Sequence, residues 1–254
     1  MFIEGEFLIL LLLFLIALLY SSVGHGGASG YLAVLSLTIY GEYDSGWLKQ
    51  HAWALNLVVA AIAFYHYKKA GFFNLKISYP FILASIPFAI IGGYMKVDGV
   101  FYDTLFSITL VWAAYKLLQI KEVNSTTEFR GPSLRYAVPI GGGIGLMSGF
   151  VGVGGGIFLS PILLLKKWAD PKTAAATAAL FIWVNSMAGL VGASISGQLV
   201  IQLDILFPFI MAVLLGGYLG AKYGSENAHQ SSIRKLLIVV LIVASLKRIS
   251  YLVI

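Results

Sequence analysis

Apolar residues fill this chain in long blocks rather than in amphipathic stripes. The blocks run over 7–23, 27–40, 47–66, 78–95 and 101–120, then over 135–151, 155–166, 173–196, 203–221 and 233–254. Most approach the ~20 residues that a helix needs to cross a ~30 Å hydrocarbon core. Two are shorter. Block 155–166 holds 12 residues, or ~18 Å of helix, and block 27–40 is little longer. Each short block follows a run of glycines. The stretch from Lys121 to Arg135 is the most polar and reads as a linker. The pattern predicts an all-α polytopic membrane protein, with a first membrane repeat over 1–124 and a second over 125–254, integrated into one membrane domain.

The two halves share landmarks. Gly24-His25-Gly26-Gly27 is answered by Gly152-Val153-Gly154-Gly155-Gly156, and Gly24 and Gly152 are 152 − 24 = 128 positions apart. Trp53-Ala54-Leu55-Asn56 matches Ile182-Trp183-Val184-Asn185, and Ile91-Gly92-Gly93-Tyr94 matches Leu215-Gly216-Gly217-Tyr218. Ala114-Tyr115-Lys116 matches Ser245-Leu246-Lys247, and all offsets stay between 124 and 131. Landmarks kept in order at one spacing point to an internal duplication.

Charge orients the halves. Thirteen of the 17 Lys and Arg fall in or beside the loops 66–76, 121–135, 166–172 and 222–235. The other four are Lys49, Lys96, Lys247 and Arg248. With the rich loops in the cytoplasm, both termini lie outside and the repeats have inverted topology. Each glycine region then leaves and returns to one side. Re-entrant helical hairpins with glycine tips, each followed by three transmembrane helices, are expected over full spans, although 7–23 alone is nearly long enough to cross.

Composition supports the membrane and removes other classes. The chain is 59% hydrophobic and 11% charged, against about 25% charge in soluble domains. The net charge of +6 sits in short loops and is no nucleic-acid footprint. With no cysteine, disulfides and thiolate metal sites are excluded. The first six residues carry Glu4 and Glu6 and no Lys or Arg. A secretory signal needs a positive start, so 7–20 is expected to be a retained segment. The lipid bilayer is the expected surround, and a homodimer is compatible with the sequence.

Candidate chemistry lies at the glycine runs. Non-helical backbone at membrane depth survives only inside protein or against a watery cavity. The Gly154, Gly155 and Gly156 amides open a helix toward Pro161, and a helix start offers free N–H groups and a positive dipole end to an anion. Close helix packing through small residues is the competing explanation, but three glycines in a row pack poorly. Asn56 and Asn185 sit at matching mid-segment positions, as substrate donors or as interhelical hydrogen-bond glue. His25 is either an anion or pH-sensing group or a ring bonded to a nearby carbonyl. Ser22, Ser29, Ser148, Ser160, Thr177 and Ser186 are weaker donors. His51, His66 and His229 are expected to be solvated. The candidate substrate-binding set is thus Gly24, His25, Gly26, Gly27, Asn56, Gly152, Gly154, Gly155, Gly156 and Asn185.

All 11 Asp and Glu lie in loops or near segment ends, so the usual intramembrane proton relay or cation site is missing. No HExxH or Walker motif occurs. No metal, cofactor or enzymatic activity is expected.

Gly152-Val153-Gly154-Gly155-Gly156-Ile157-Phe158-Leu159-Ser160-Pro161 resembles the signature of the TauE/SafE family of sulfite and organosulfonate exporters. The duplicated layout and length are similar as well. The resemblance implies a small anionic substrate, sulfite or an organosulfonate such as sulfoacetate, moved out across a bacterial-type cytoplasmic membrane. The first-half run departs from the pattern: Ala28 replaces the third glycine, and Ala33 stands where proline would be. An anion channel built from the same tips, or a membrane scaffold with structural glycines, are the alternatives to a transporter with alternating access.

Overall fold

The computed structural model describes residues 2–96 and 131–229, with the single positions 108, 115, 232 and 235. The apolar blocks 101–120 and 233–254, and the linker up to residue 130, lie largely outside the described residues.

Eight α-helices follow in order among the described residues: α1 Phe2–Ser21, α2 Ala28–Ser36, α3 Ser45–Lys69 and α4 Leu75–Tyr94, then α5 Leu134–Val151, α6 Gly156–Leu165, α7 Pro171–Ile195 and α8 Leu203–Lys222. A 3-10 turn, Ile39–Glu42, follows α2, and a π turn, Tyr223–Asn227, follows α8. No strand occurs among the described residues. Asp44 caps α3 by accepting from the Trp47 N–H at 2.7 Å, and Asp170 caps α7 from the Lys172 and Thr173 amides, with Pro171 in the first turn. These caps satisfy amides that a helix start leaves open.

The sets α1–α4 and α5–α8 have matching lengths. The third helices both have 25 residues, the fourth helices both 20, and the second helices 9 and 10. Their packing exchanges partners in the same way. The long helices α3 and α7 pack on each other at the centre. α4 packs on α5 and α7, while α8 packs on α1 and α3. The short helices lie on the long helix of their own set, α2 on α3 and α6 on α7.

Glycine explains two of the close pairs. On α5, Gly141, Gly145 and Gly149 recur every fourth residue and face the carbonyls of Phe81, Ser85 and Ala89 on α4. Along α8 and into the π turn, Gly216, Gly220 and Gly224 do the same against Phe14, Leu18 and Ser22 of the α1 strand of chain. A Cβ at any of these six would strike main chain, so only a bare backbone allows such approach. The outward faces carry exposed Phe7, Leu15, Leu83, Leu203 and Phe207. An apolar surface of that extent belongs in lipid. Among the described residues three helices, within Leu75–Tyr94, Pro171–Ile195 and Leu203–Asn227, are long and apolar enough to cross a membrane.

Two expectations about polar residues are corrected here. His51 and His66 are not solvated. His51 is fully buried, stacked on Trp47 with ring centroids 3.7 Å apart, and its Nε2 accepts from the Gln202 N–H at 3.2 Å. His66 is buried against the Tyr218 ring. Only His229 is exposed, as expected. Lys49, counted from sequence with the outer loops, is instead buried in the second turn of α3. It falls inside block 47–66, and its side chain turns inward over the Trp53 ring rather than to water.

Candidate functional site

Both glycine runs form tight turns between a first and a second helix. Five of the seven left-handed glycines among the described residues lie in them: Gly24, Gly27, Gly152, Gly154 and Gly155. The decisive pair is Gly27 (φ 100°) and Gly155 (φ 80°), which are the N-cap residues of α2 and α6. A side chain is strained at such φ, so each short helix can start sharply only from glycine.

The fold brings the two tips together. Gly26 and Gly154 flank the Asn56 side chain and Ile182 from opposite runs. A methyl group on Gly154 would lie 2.8 Å from Asn56 Nδ2, 2.8 Å from Ile182 Cγ2 and 3.1 Å from Ser186 Oγ. A methyl on Gly26 would strike Asn56 Oδ1, and one on Gly156 would strike Ile182. The other predicted glycines sit around this junction. Gly24 lies on the Ala175 backbone of α7, Gly27 beside the Tyr31 ring, Gly152 against Lys49 of α3, and Gly155 against Phe181 and Ile144.

Asn56 and Asn185 occupy matching places but have different partners. Asn56 Oδ1 accepts from the Ala28 N–H at 3.0 Å, and its Nδ2 donates to Ser186 Oγ at 3.3 Å. Asn56 therefore caps α2 from a neighbouring helix. Asn185 Nδ2 donates to the Phe181 carbonyl of its own helix at 2.8 Å, and its buried Oδ1 has no partner. Asn185 is thus next in sequence to Ser186, which reaches the tips. His25 is 2% exposed; its Nδ1 lies 3.1 Å from the Val23 carbonyl and its Nε2 3.4 Å from Ser160 Oγ. Nδ1 thus meets the nearby Val23 carbonyl, and Nε2 links the first tip to α6.

The second tip differs from the first in its amides. The N–H groups of Gly154, Gly155, Gly156 and Ile157 have no hydrogen-bond partner among the described residues. No side chain caps α6 as Asn56 caps α2. Buried amides are nearly always paired, so four successive open donors at a helix start are unusual. Chemically the open amides make a donor-rich, buried place that suits an oxyanion. Tyr31 Oη, beside Gly27, and Trp53 Nε1 and Ser148 Oγ are also buried without partners. The remaining polar groups are satisfied locally: Ser22 Oγ donates to the Leu19 carbonyl, Ser29 Oγ pairs with the Tyr20 hydroxyl, and Thr177 pairs with Ser78.

Sequence reasoning missed Lys49, Trp53 and Tyr31. Trp53 was visible as the start of the Trp53-Ala54-Leu55-Asn56 landmark, whose counterpart begins with Ile182, and Lys49 stands one turn before it. The starts of α3 and α8 and the end of α7 are tied as well. Gln50 Nε2 donates to the Gln198 carbonyl at 2.7 Å, the Val200 N–H donates to Gln50 Oε1 at 2.6 Å, and Trp47 Nε1 donates to Gln202 Oε1 at 3.1 Å. These bonds hold the α7–α8 loop over the start of α3.

Comparison with known proteins agrees with this architecture. The family model described as sulfite exporter TauE/SafE matches residues 9–248. A probable membrane transporter protein, y4hK of Sinorhizobium fredii, is 35% identical over 238 residues, covering 92% of this chain and 94% of that protein. A probable membrane transporter protein of Methanocaldococcus jannaschii, MJ0441, is 29% identical over 201 residues, covering 74% of each. A third, YunE of Bacillus subtilis, is 28% identical over 100 residues, 39% of this chain and 34% of its own. No solved structure matches. With the family model spanning nearly the whole chain, this protein belongs to the TauE/SafE family of membrane transporters.

Proposed function

We propose that the chain exports a small oxyanion, sulfite or an organosulfonate such as sulfoacetate, across a cytoplasmic membrane. The observation that carries this reading is the row of open, buried amides from Gly154 to Ile157. An anion there would complete their hydrogen bonds and meet the positive end of α6. In this reading Gly152, Gly154, Gly155, Gly156 and Asn185 serve the substrate from one repeat, and Gly24, His25, Gly26, Gly27 and Asn56 face it from the other. Asn185 would turn its amide from Phe181 toward the anion, since its present open atom is an acceptor.

Alternating access between two inverted repeats, 1–124 and 125–254, is the proposed mechanism. The matched helix lengths and the exchanged packing support two-fold related halves. The charge bias supports opposite insertion, with both termini outside. The short α2 and α6, ~14 and ~15 Å long, support re-entrant hairpins whose tips meet inside the protein. No tip glycine has room for a methyl group, so an anion enters only when a hairpin parts from α3 or α7. That requirement favours a transporter over an open anion channel, which would keep a permanent path.

Flux into proteoliposomes tests this reading, with sulfite, sulfoacetate, taurine, sulfate and thiosulfate compared. The expected result is saturable uptake of at least one anion, accelerated by unlabelled anion inside. Unsaturable flux without exchange would support the channel. No flux and no ligand-dependent thermal shift with any of the five would support a scaffold instead.

A further inference from the structure

Lys49 is buried, 4% exposed, in the second turn of α3. Its ammonium has no hydrogen bond and no ion pair among the described residues; it lies over the Trp53 ring, 5.6 Å from the centroid. The nearest carboxylate in sequence, Asp44, is engaged by the Trp47 amide at the helix cap. Asp44 supplies some Coulombic attraction, but a buried cation with no carboxylate bonded to it is costly, and a cation–π contact offsets only part of that. One turn on, the Trp53 indole N–H is also buried and unpartnered. The two donors therefore stand side by side with open valences.

Their place relative to the second tip gives them a use. Lys49, Trp53 and Asn56 follow at i, i+4 and i+7, which puts them on one face of α3. The Cβ position of Gly152 lies 2.5 Å from Lys49 Cβ, and that of Gly154 lies 2.8 Å from Asn56 Nδ2. This face of α3 thus runs along the turn that carries the open amides. In the other half Gly24 meets Ala175 where Gly152 meets Lys49. The cation is supplied from one repeat only.

We propose that Lys49 recognises the negative charge of the substrate, with the Trp53 N–H as its partner donor, on the outer side of the second glycine tip. This rests on the anion-transport reading above. It makes discrimination between a charged sulfonate or sulfite and a neutral molecule of equal size the task of one side chain.

The test uses Lys49→Gln, Lys49→Arg, Lys49→Met and Trp53→Phe in proteoliposomes, with sulfite and sulfoacetate as probes. Lys49→Gln and Lys49→Met are expected to raise the half-saturating anion concentration at least tenfold. Lys49→Arg should stay within about threefold of the parent chain, and Trp53→Phe should fall between. Melting temperatures of the Gln and Met variants should equal or exceed that of the parent, because an unpaired buried charge is removed. Unchanged half-saturation in Lys49→Gln, while the parent transports, overturns the proposal and leaves the anion reading intact. Loss of transport that tracks a lowered melting temperature in both Gln and Met variants makes Lys49 structural and also overturns it. A parent chain that moves neither anion overturns the anion reading itself, and Lys49 with it.

Discussion

Asn56 and Asn185 look equivalent in sequence, and the structure predicts opposite consequences of removing them. Asn56→Ala strands the Ala28 N–H, fully buried at the start of α2, and releases Ser186 Oγ. A stranded buried donor costs roughly 1–3 kcal/mol, and a lost neutral hydrogen bond ~0.5–1.5 kcal/mol. Together Asn56→Ala should cost about 2–4 kcal/mol. Asn185→Leu removes one bond to the Phe181 carbonyl, which still accepts within its own helix, and it also removes the orphaned Oδ1. Those two effects oppose each other at ~1 kcal/mol each, so the net change is near zero. Melting of the purified variants in detergent measures the contrast. Asn56→Ala should melt several degrees lower than the parent, and Asn185→Leu within a degree or two of it. If Asn185→Leu melts as low as Asn56→Ala, Asn185 is packing glue and the assignment of its Oδ1 as an open site is wrong. Anion affinity gives the second arm. Asn185→Leu should weaken sulfite binding by ~1–3 kcal/mol, the scale of a hydrogen bond to a charged group. Unchanged affinity would leave the glycine backbone as the binding group.

Three further outcomes are expected. Gly154→Ala should abolish flux with a modest loss of stability, since its methyl would press on Asn56, Ile182 and Ser186 while its φ of 73° adds strain; wild-type flux would show that the tip junction is not on the path. Because the chain has no cysteine, Lys69→Cys and Leu199→Cys, both exposed, provide single probes: an impermeant thiol reagent should reach residue 199 from outside and residue 69 only from the cytoplasm, and the reverse pattern would overturn the orientation. Efflux of a monoanion should follow the membrane potential, worth ~2.3 kcal/mol per charge at 100 mV, or roughly fiftyfold accumulation; efflux that ignores potential but follows a pH gradient would point to proton coupling.

The helices were legible because the chain speaks in apolar blocks. Block 203–221 became Leu203–Lys222 and block 135–151 became Leu134–Val151. Block 27–40 was read as one segment but stops at Ser36 and resumes as a 3-10 turn, a break that hydropathy does not register. The glycine tips were legible because so much glycine side by side serves no ordinary helix. Lys49 was not. A lysine near a block edge counts as outer charge even though it falls inside block 47–66, and hydropathy does not say that its side chain turns inward over Trp53 rather than to water. The partners of Asn56 and Asn185 were illegible for a different reason. The two amides share spacing and composition, and only the approach of α2 in one half distinguishes a cap from an open oxygen.

Anomalous scattering from the protein soaked with selenite, which carries the shape and charge of sulfite, locates the anion directly. The account predicts one principal selenium peak within hydrogen-bond reach of the Gly154 to Ile157 amides, on the side facing Lys49 and Asn185. A principal peak elsewhere, in a protein that transports sulfite saturably, would contradict it.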